Sequence, residues 1–170
     1  MDLKKQFQCD PGSSVFAVLR IMLGFMVMWG FLDKMFGLGF PTESSMAYIN
    51  GGSPTHDFLM YASGGTFGWL FEPMIDISAF TDVVLLIAMF GLGIALLFGI
   101  GRKIGCIGGA ILFFMFYLSV LPISDNPILD YHLIYIVILA GVYLTDACSV
   151  FGFGSMWKET ELVKKLPFLE

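Results

Sequence analysis

The sequence predicts an all-α integral membrane protein, an antiparallel four-helix bundle with a long extracytoplasmic loop that contains short interfacial helices. Three observations carry this expectation. The 170 residues are 57% hydrophobic and only 14% charged, with a mean hydropathy of +0.82, a surface that water alone does not solvate. Four apolar runs, at 15–36, 80–100, 104–122 and 131–151, are each long enough to cross a hydrocarbon core about 30 Å thick. The cations also segregate. Lys4, Lys5, Arg102, Lys103, Lys158, Lys164 and Lys165 share one side of a four-span topology, whereas the 37–79 loop and the turn at Asp125 carry Glu43, Asp57, Glu72, Asp76 and Asp125. The positive-inside rule then expects both termini in the cytoplasm of a prokaryotic cell, with the chain multi-pass in the plasma membrane.

Each element follows in order. The segment from Met1 to Asp10 is polar, and the apolar run after it is too long for a signal peptide, so the first span is expected to be retained. The spans must be helical, because strands with open edges leave unpaired backbone groups in lipid. Between the first two spans lie 43 residues, 37–79, beyond the usual connection length. There Ser44 and Ser45 precede Met46–Ile49, and Thr55 precedes Asp57–Tyr61, which reads as two capped short helices lying at the interface or closing over a site. The Gly101-Arg102-Lys103 turn forces the second and third spans into an antiparallel hairpin, and Asp125-Asn126-Pro127 does the same for the third and fourth. Gly101, Gly105 and Gly109 recur at four-residue spacing, a stripe suited to close helix contact. The tail, 152–170, mixes Trp157, Leu162, Val163, Leu166 and Phe168 with Lys and Glu, as an interfacial helix or a docking segment would. The whole chain forms a single membrane domain.

Composition also excludes functions. There is no basic run for nucleic acid, and no hydrolytic triad, phosphate loop or metal-ligand spacing. Cys9, Cys106 and Cys148 are too scattered for a disulfide framework or a metal site. Two histidines on separate segments do not supply the paired ligands of a membrane haem, so neither metal nor haem is expected. Membrane lipid is the one partner that composition requires.

Ionisable residues inside spans are costly and normally face the interior or a cavity. Arg20 and Lys34 lie fourteen positions apart, within about 40° of one helix face and about 21 Å along the axis. His132, Tyr135 and Asp146 share a face of the fourth span with a similar axial separation. Because the first and fourth helices of an up-and-down bundle are neighbours, two polar layers are expected. One is a structural ion pair of Arg20 with Asp146; the other joins Lys34 to Asp130 and His132, with Asp33, Asp82, Tyr131 and Tyr135 close by. Asp130 is also placed to cap the fourth helix. A quinone suits the second layer, since His, Tyr and Asp at the polar edge of a membrane can hydrogen-bond its oxygens and exchange protons.

The first span reads Arg20-x3-Gly24-x5-Gly30-x3-Lys34, followed by Phe36-Gly37-Leu38-Gly39-Phe40-Pro41-Thr42. The loop contains Ile49-Asn50-Gly51-Gly52-Ser53-Pro54-Thr55, and the fourth span opens Asn126-Pro127-Ile128-Leu129-Asp130-Tyr131-His132-Leu133-Ile134-Tyr135. Together these runs resemble the DoxX/DoxD membrane-protein family, whose DoxD members are small subunits of thiosulfate:quinone oxidoreductase. The resemblance implies a four-helix membrane fold, electron transfer from a sulfur compound such as thiosulfate to membrane quinone, and a separate second subunit. It points to Arg20, Lys34, Asn126, Asp130, His132 and Tyr135. The expected roles are His132, Asp130 and Lys34 in catalysis, and Tyr135, Tyr131, Asn126 and Asp82 around the quinone. A membrane anchor or assembly component of a redox complex is the alternative, and a small transporter a third. Homo-oligomerisation is open.

Overall fold

The computed structural model describes residues 10–124 and 126–170, and among them every regular element is helical. Lys4, Lys5, Cys9 and Asp125 lie outside the described residues. The order is α1 (Pro11–Phe36), two single-turn 3₁₀ segments (Ser44–Met46 and Tyr48–Asn50), α2 (His56–Ser63), α3 (Gly68–Ile75), α4 (Ser78–Phe98), α5 (Arg102–Ser119), α6 (Tyr131–Leu144), α7 (Gly154–Lys158), α8 (Glu161–Lys165) and a final 3₁₀ turn (Pro167–Leu169).

Local chemistry explains the ends of α1. Asp10 Oδ2 accepts a hydrogen bond from Ser13 N at 3.2 Å, and Pro11 occupies the first helical position, where its missing N–H costs nothing. The helix therefore starts four residues before the apolar run that marks it in the sequence. Gly37, at φ +67°, terminates it in the left-handed conformation. The reversal from α4 to α5 is tighter still, with Gly99 and Gly101 both at positive φ.

α1, α4 and α5, of 26, 21 and 18 residues, are long and apolar enough to cross a membrane. Phe25, Phe80 and Ile87 on these helices are more than 60% exposed, which suits lipid and not water. The chain is a membrane protein on this evidence. α1 packs chiefly on α4 and α5 on α6, while α1–α6 and α4–α5 contacts close the ring. Leu23, Val27, Leu92, Leu96, Phe113, Leu139 and Val142 form the core between them. Close approach depends on glycine at two seams. A Cβ at Gly24 would stand 2.8 Å from the backbone nitrogen of Leu97, and one at Gly141 would overlap the ring of Phe16. Gly105 and Gly109 of the predicted stripe face Ala95, Leu92 and Leu139 inside the chain.

The fourth apolar run departs from expectation. It is helical only to Leu144, about 21 Å of rise, and the remainder to Phe151 forms turns. Thr145 Oγ1 donates to Gly141 O at 2.8 Å, and the chain then runs to the end of α4, where Phe153 N donates to Phe98 O at 2.8 Å. Ala147, Cys148 and Val150 are buried there. The physical cause is Arg20, whose side chain is wholly buried. Its Nη1 donates to Leu96 O and, at 3.2 Å, to Leu97 O; its Nη2 donates to Val150 O and Phe151 O, each at 3.1 Å. One guanidinium thus satisfies carbonyls at the end of α4 and in the non-helical segment, as buried irregular backbone requires. Phe151 sits at φ +50° to present its carbonyl, a conformation that costs an L-residue about 1 kcal/mol.

The expected Arg20–Asp146 pair does not form. Asp146 is 62% exposed and takes Lys158 Nζ at 3.4 Å and Ser149 Oγ at 2.9 Å. Helical phase put Asp146 on the face of α6 toward α1, but the helix ends before residue 146, so that phase no longer applies. The tail docks on its own chain. Trp157 Nε1 donates to Leu169 O at 2.7 Å, Lys103 N donates to Glu170 O at 2.6 Å, and the Glu170 carboxylate pairs with Arg102 at 3.0 Å and Lys103 at 2.9 Å.

Candidate functional site

At the end of the helices that carries the 37–77 connection, buried carboxylates hold the loop down. Asp33, in the last turn of α1, accepts from Phe40 N at 2.7 Å and Thr42 N at 2.8 Å. Asp82, in the first turns of α4, accepts from Thr55 N at 2.9 Å. Both carboxylates are at most 1% exposed, and a charge is tolerated at that depth because oriented N–H groups replace its water. Asp82 therefore anchors the loop through Oδ1 and does not itself line the cavity beside His132. Asn126 is also committed to its own backbone. Its Oδ1 accepts from Ile128 N at 3.0 Å and from Leu129 N, and its Nδ2 donates to Leu129 O. The turn so formed, further held by Tyr117 Oη on Ile128 O at 2.9 Å, delivers the chain to α6.

α6 opens with the chemistry-bearing pair. Asp130 Oδ1 accepts from His132 N at 2.8 Å, the expected cap, and lies 2.7 Å from His132 Nδ1. An oxygen already accepting one N–H accepts the second, so Nδ1 carries the ring proton. Nε2 then has no partner among the described residues and is an acceptor in the neutral ring, a donor in the charged one. The His132 side chain is 9% exposed. Rings surround it: Tyr131 at 4.1 Å between centroids, Phe116 at 5.6 Å and Tyr135 at 6.3 Å.

His132 lines two adjoining cavities. The larger, about 340 Å³, is walled by Lys34, Thr55, Phe58, Leu85, Ser119 and Tyr131 among others. The smaller, about 160 Å³, continues along Met26, Phe113 and Tyr135, and the two share Met89, Phe116, Tyr131 and His132. Lys34 and Asp130 were expected to pair; among the described residues no carboxylate lies within ion-pair distance of Lys34 Nζ. Lys34 feels Asp33 and Asp82 at longer range. Tyr135 turns away from the larger cavity, its hydroxyl 3.4 Å from Met26 Sδ. Two larger depressions, about 370 and 730 Å³, lie on the apolar outer faces of α4–α5 and α5–α6 and gather no convergent charged groups.

Of the sequence-selected residues, Lys34, Tyr131 and His132 thus meet at one cavity, with Asp130 directly behind the imidazole. Tyr135 reaches the adjoining space, Asp82 holds the wall residue Thr55, Asn126 lies in the exposed turn before α6, and Arg20 and Asp146 belong to the opposite end. Thr55, Phe58 and Phe116 are wall residues that sequence reasoning does not select as a site. Thr55 and Phe58 come from α2 and its cap and Phe116 from α5, and no local pattern announces that meeting. Among the described residues no cluster of His, Cys, Asp and Glu is arranged to hold a metal ion. Compared with protein-family models, with curated proteins and with solved structures, the chain shows no match.

Proposed function

We propose that the chain is the membrane subunit of a quinone-linked oxidoreductase, receiving electrons that originate in a small sulfur compound such as thiosulfate through a separate second subunit. The observation that carries this is the Asp130-oriented imidazole of His132, with Nε2 free at a cavity that also contains Lys34. The cavity suits the head group: about 340 Å³ falls within the range of small-molecule sites, roughly 300–1,000 Å³, and apolar walls with a few polar groups are what such sites present. A bound quinone supplies two-electron, two-proton redox chemistry. His132 Nε2 holds or releases a proton at the ring oxygen, and Asp130 keeps the imidazole in the required tautomer and stabilises its charged form. Lys34 offers positive charge to an oxygen, while Phe58, Leu85 and Phe116 exclude water.

In this reading the chain crosses a prokaryotic plasma membrane four times as an antiparallel bundle. α6 and the Arg20-bound segment after it together complete the fourth crossing, both termini face the cytoplasm, and the 37–77 loop covers the site from outside. The closed ring of helix contacts and the cation distribution support that arrangement. A non-catalytic anchor is the competing reading, favoured by the commitment of Asp33, Asp82 and Asn126 to their own backbone. The deciding experiment is titration of the purified protein in nanodiscs with decylubiquinone. Saturable binding that His132→Ala weakens at least about tenfold supports the redox subunit; no binding by the wild type overturns it.

A further inference from the structure

One polar group in the cavity wall is unspent. Thr55 is 1% exposed, and its Oγ1 is buried without a hydrogen-bond partner. The residue stands at the N-cap of α2, where a threonine hydroxyl ordinarily accepts from the second or third helical N–H. Here it makes no such bond, because the backbone adopts φ −96° and ψ −16° instead of an extended conformation. The rest of the residue is fully satisfied. Its N–H is taken by Asp82 Oδ1, and its carbonyl accepts from Leu59 N at 2.9 Å. Buried hydroxyls nearly always have partners, and one that lacks them beside a cavity marks an atom the protein chain does not itself supply.

We propose that Thr55 is a ligand-contacting, specificity-determining residue of this cavity, donating its hydroxyl hydrogen to an oxygen acceptor of the bound molecule in concert with Lys34. This rests on the quinone reading and deepens it. Asp82 ties the two residues together, since it holds the Thr55 backbone and faces the Lys34 charge. The cavity then carries three polar groups in an apolar lining, Lys34, Thr55 and His132, the last backed by Asp130. Such a site reads a ring that carries two acceptor oxygens. Charge selects further. Asp33 and Asp82 act on Lys34 from beyond ion-pair distance and Asp130 stands behind His132, so the local field favours a neutral carbonyl compound over an anion. The sulfur donor is consequently excluded from this cavity and delivers its electrons from elsewhere.

The test compares wild type, Thr55→Val, Thr55→Ser and His132→Ala in nanodiscs, titrated with decylubiquinone with and without thiosulfate, alongside thermal melts of the ligand-free proteins. Thr55→Val, which removes the hydroxyl at constant shape, is expected to weaken binding about tenfold while leaving the melting temperature unchanged or higher. Thr55→Ser is expected to bind within about threefold of wild type, and thiosulfate not to compete. Wild-type affinity in Thr55→Val, with affinity lost in His132→Ala, overturns the Thr55 assignment alone and leaves an ordered water as the hydroxyl's partner. A lower melting temperature in Thr55→Val with unchanged affinity assigns the hydroxyl a structural role and overturns it equally. Displacement by thiosulfate overturns the neutral-ligand selection. A wild-type protein that does not bind decylubiquinone overturns both this assignment and the quinone reading beneath it.

Discussion

Arg20 shows how much one residue can decide. Four carbonyls from two segments depend on its guanidinium, and a lysine, with one nitrogen in place of a planar fork, cannot reach them all. Arg20→Lys is expected to lose at least two of these bonds and about 3 kcal/mol, since bonds to a charged group contribute roughly 1.5–3 kcal/mol each. A thermal melt in detergent checks this. At the other end, His132 and Asp130 divide their labour differently. His132→Gln should lower quinone reduction by at least about a hundredfold, the usual contribution of a positioned acid–base group. Asp130→Asn keeps an oxygen to cap α6 but removes the charge behind the imidazole, so its rate should fall while far-UV circular dichroism and melting temperature hold. A parallel loss of helix content would instead show that capping is all Asp130 does.

Elements meet through small residues and are held by buried carboxylates. Gly141→Leu should separate α6 from Phe16 of α1 and destabilise by about 1–3 kcal/mol, because the added side chain occupies the space of the Phe16 ring and forces it to move. The loop is tied at two points, by Asp33 to residues 40 and 42 and by Asp82 to residue 55. Asp33→Ala removes two charge-assisted bonds at once. Hydrogen exchange should rise in residues 38–44 and stay unchanged in α5, whereas uniform acceleration across the chain would mean that Asp33 supports the whole fold.

For the whole molecule, the tail network sets a pH dependence. The hydrogen bond from Lys103, with the charges of Lys158 and Arg102, holds the Glu170 carboxyl below its ordinary value of 4.5. A carboxylate lowered in the folded state stabilises docking fully above its free value and loses that contribution as pH falls through the lowered one. Cleavage of the tail by an acid-tolerant protease should therefore be slow at neutral pH and rise only below about pH 4.5. In Glu170→Gln it should be faster at neutral pH and flat across that range. Topology has its own test. Single cysteines placed at residues 57 and 158, in a background freed of native thiols, should label from opposite sides if the chain crosses four times.

The sequence by itself determined that the chain is helical and membrane-embedded, and where α1, α4 and α5 run, because apolar length and turn glycines are local properties. It also determined the Asp130 cap and the nearness of His132 to it, two residues apart on one element. What only the tertiary structure decided is where chains far apart in sequence satisfy one another. Hydropathy extends the fourth helix to Phe151 because it counts apolar side chains; it cannot register that Arg20, 130 positions from Val150, supplies hydrogen bonds that let the backbone leave the helix. Helical phase then misplaced Asp146, and no local pattern shows that Asp82 accepts a hydrogen bond from the loop at Thr55. Thr55 is the converse case, a cap residue by its position whose hydroxyl the fold leaves unspent beside Lys34 and His132.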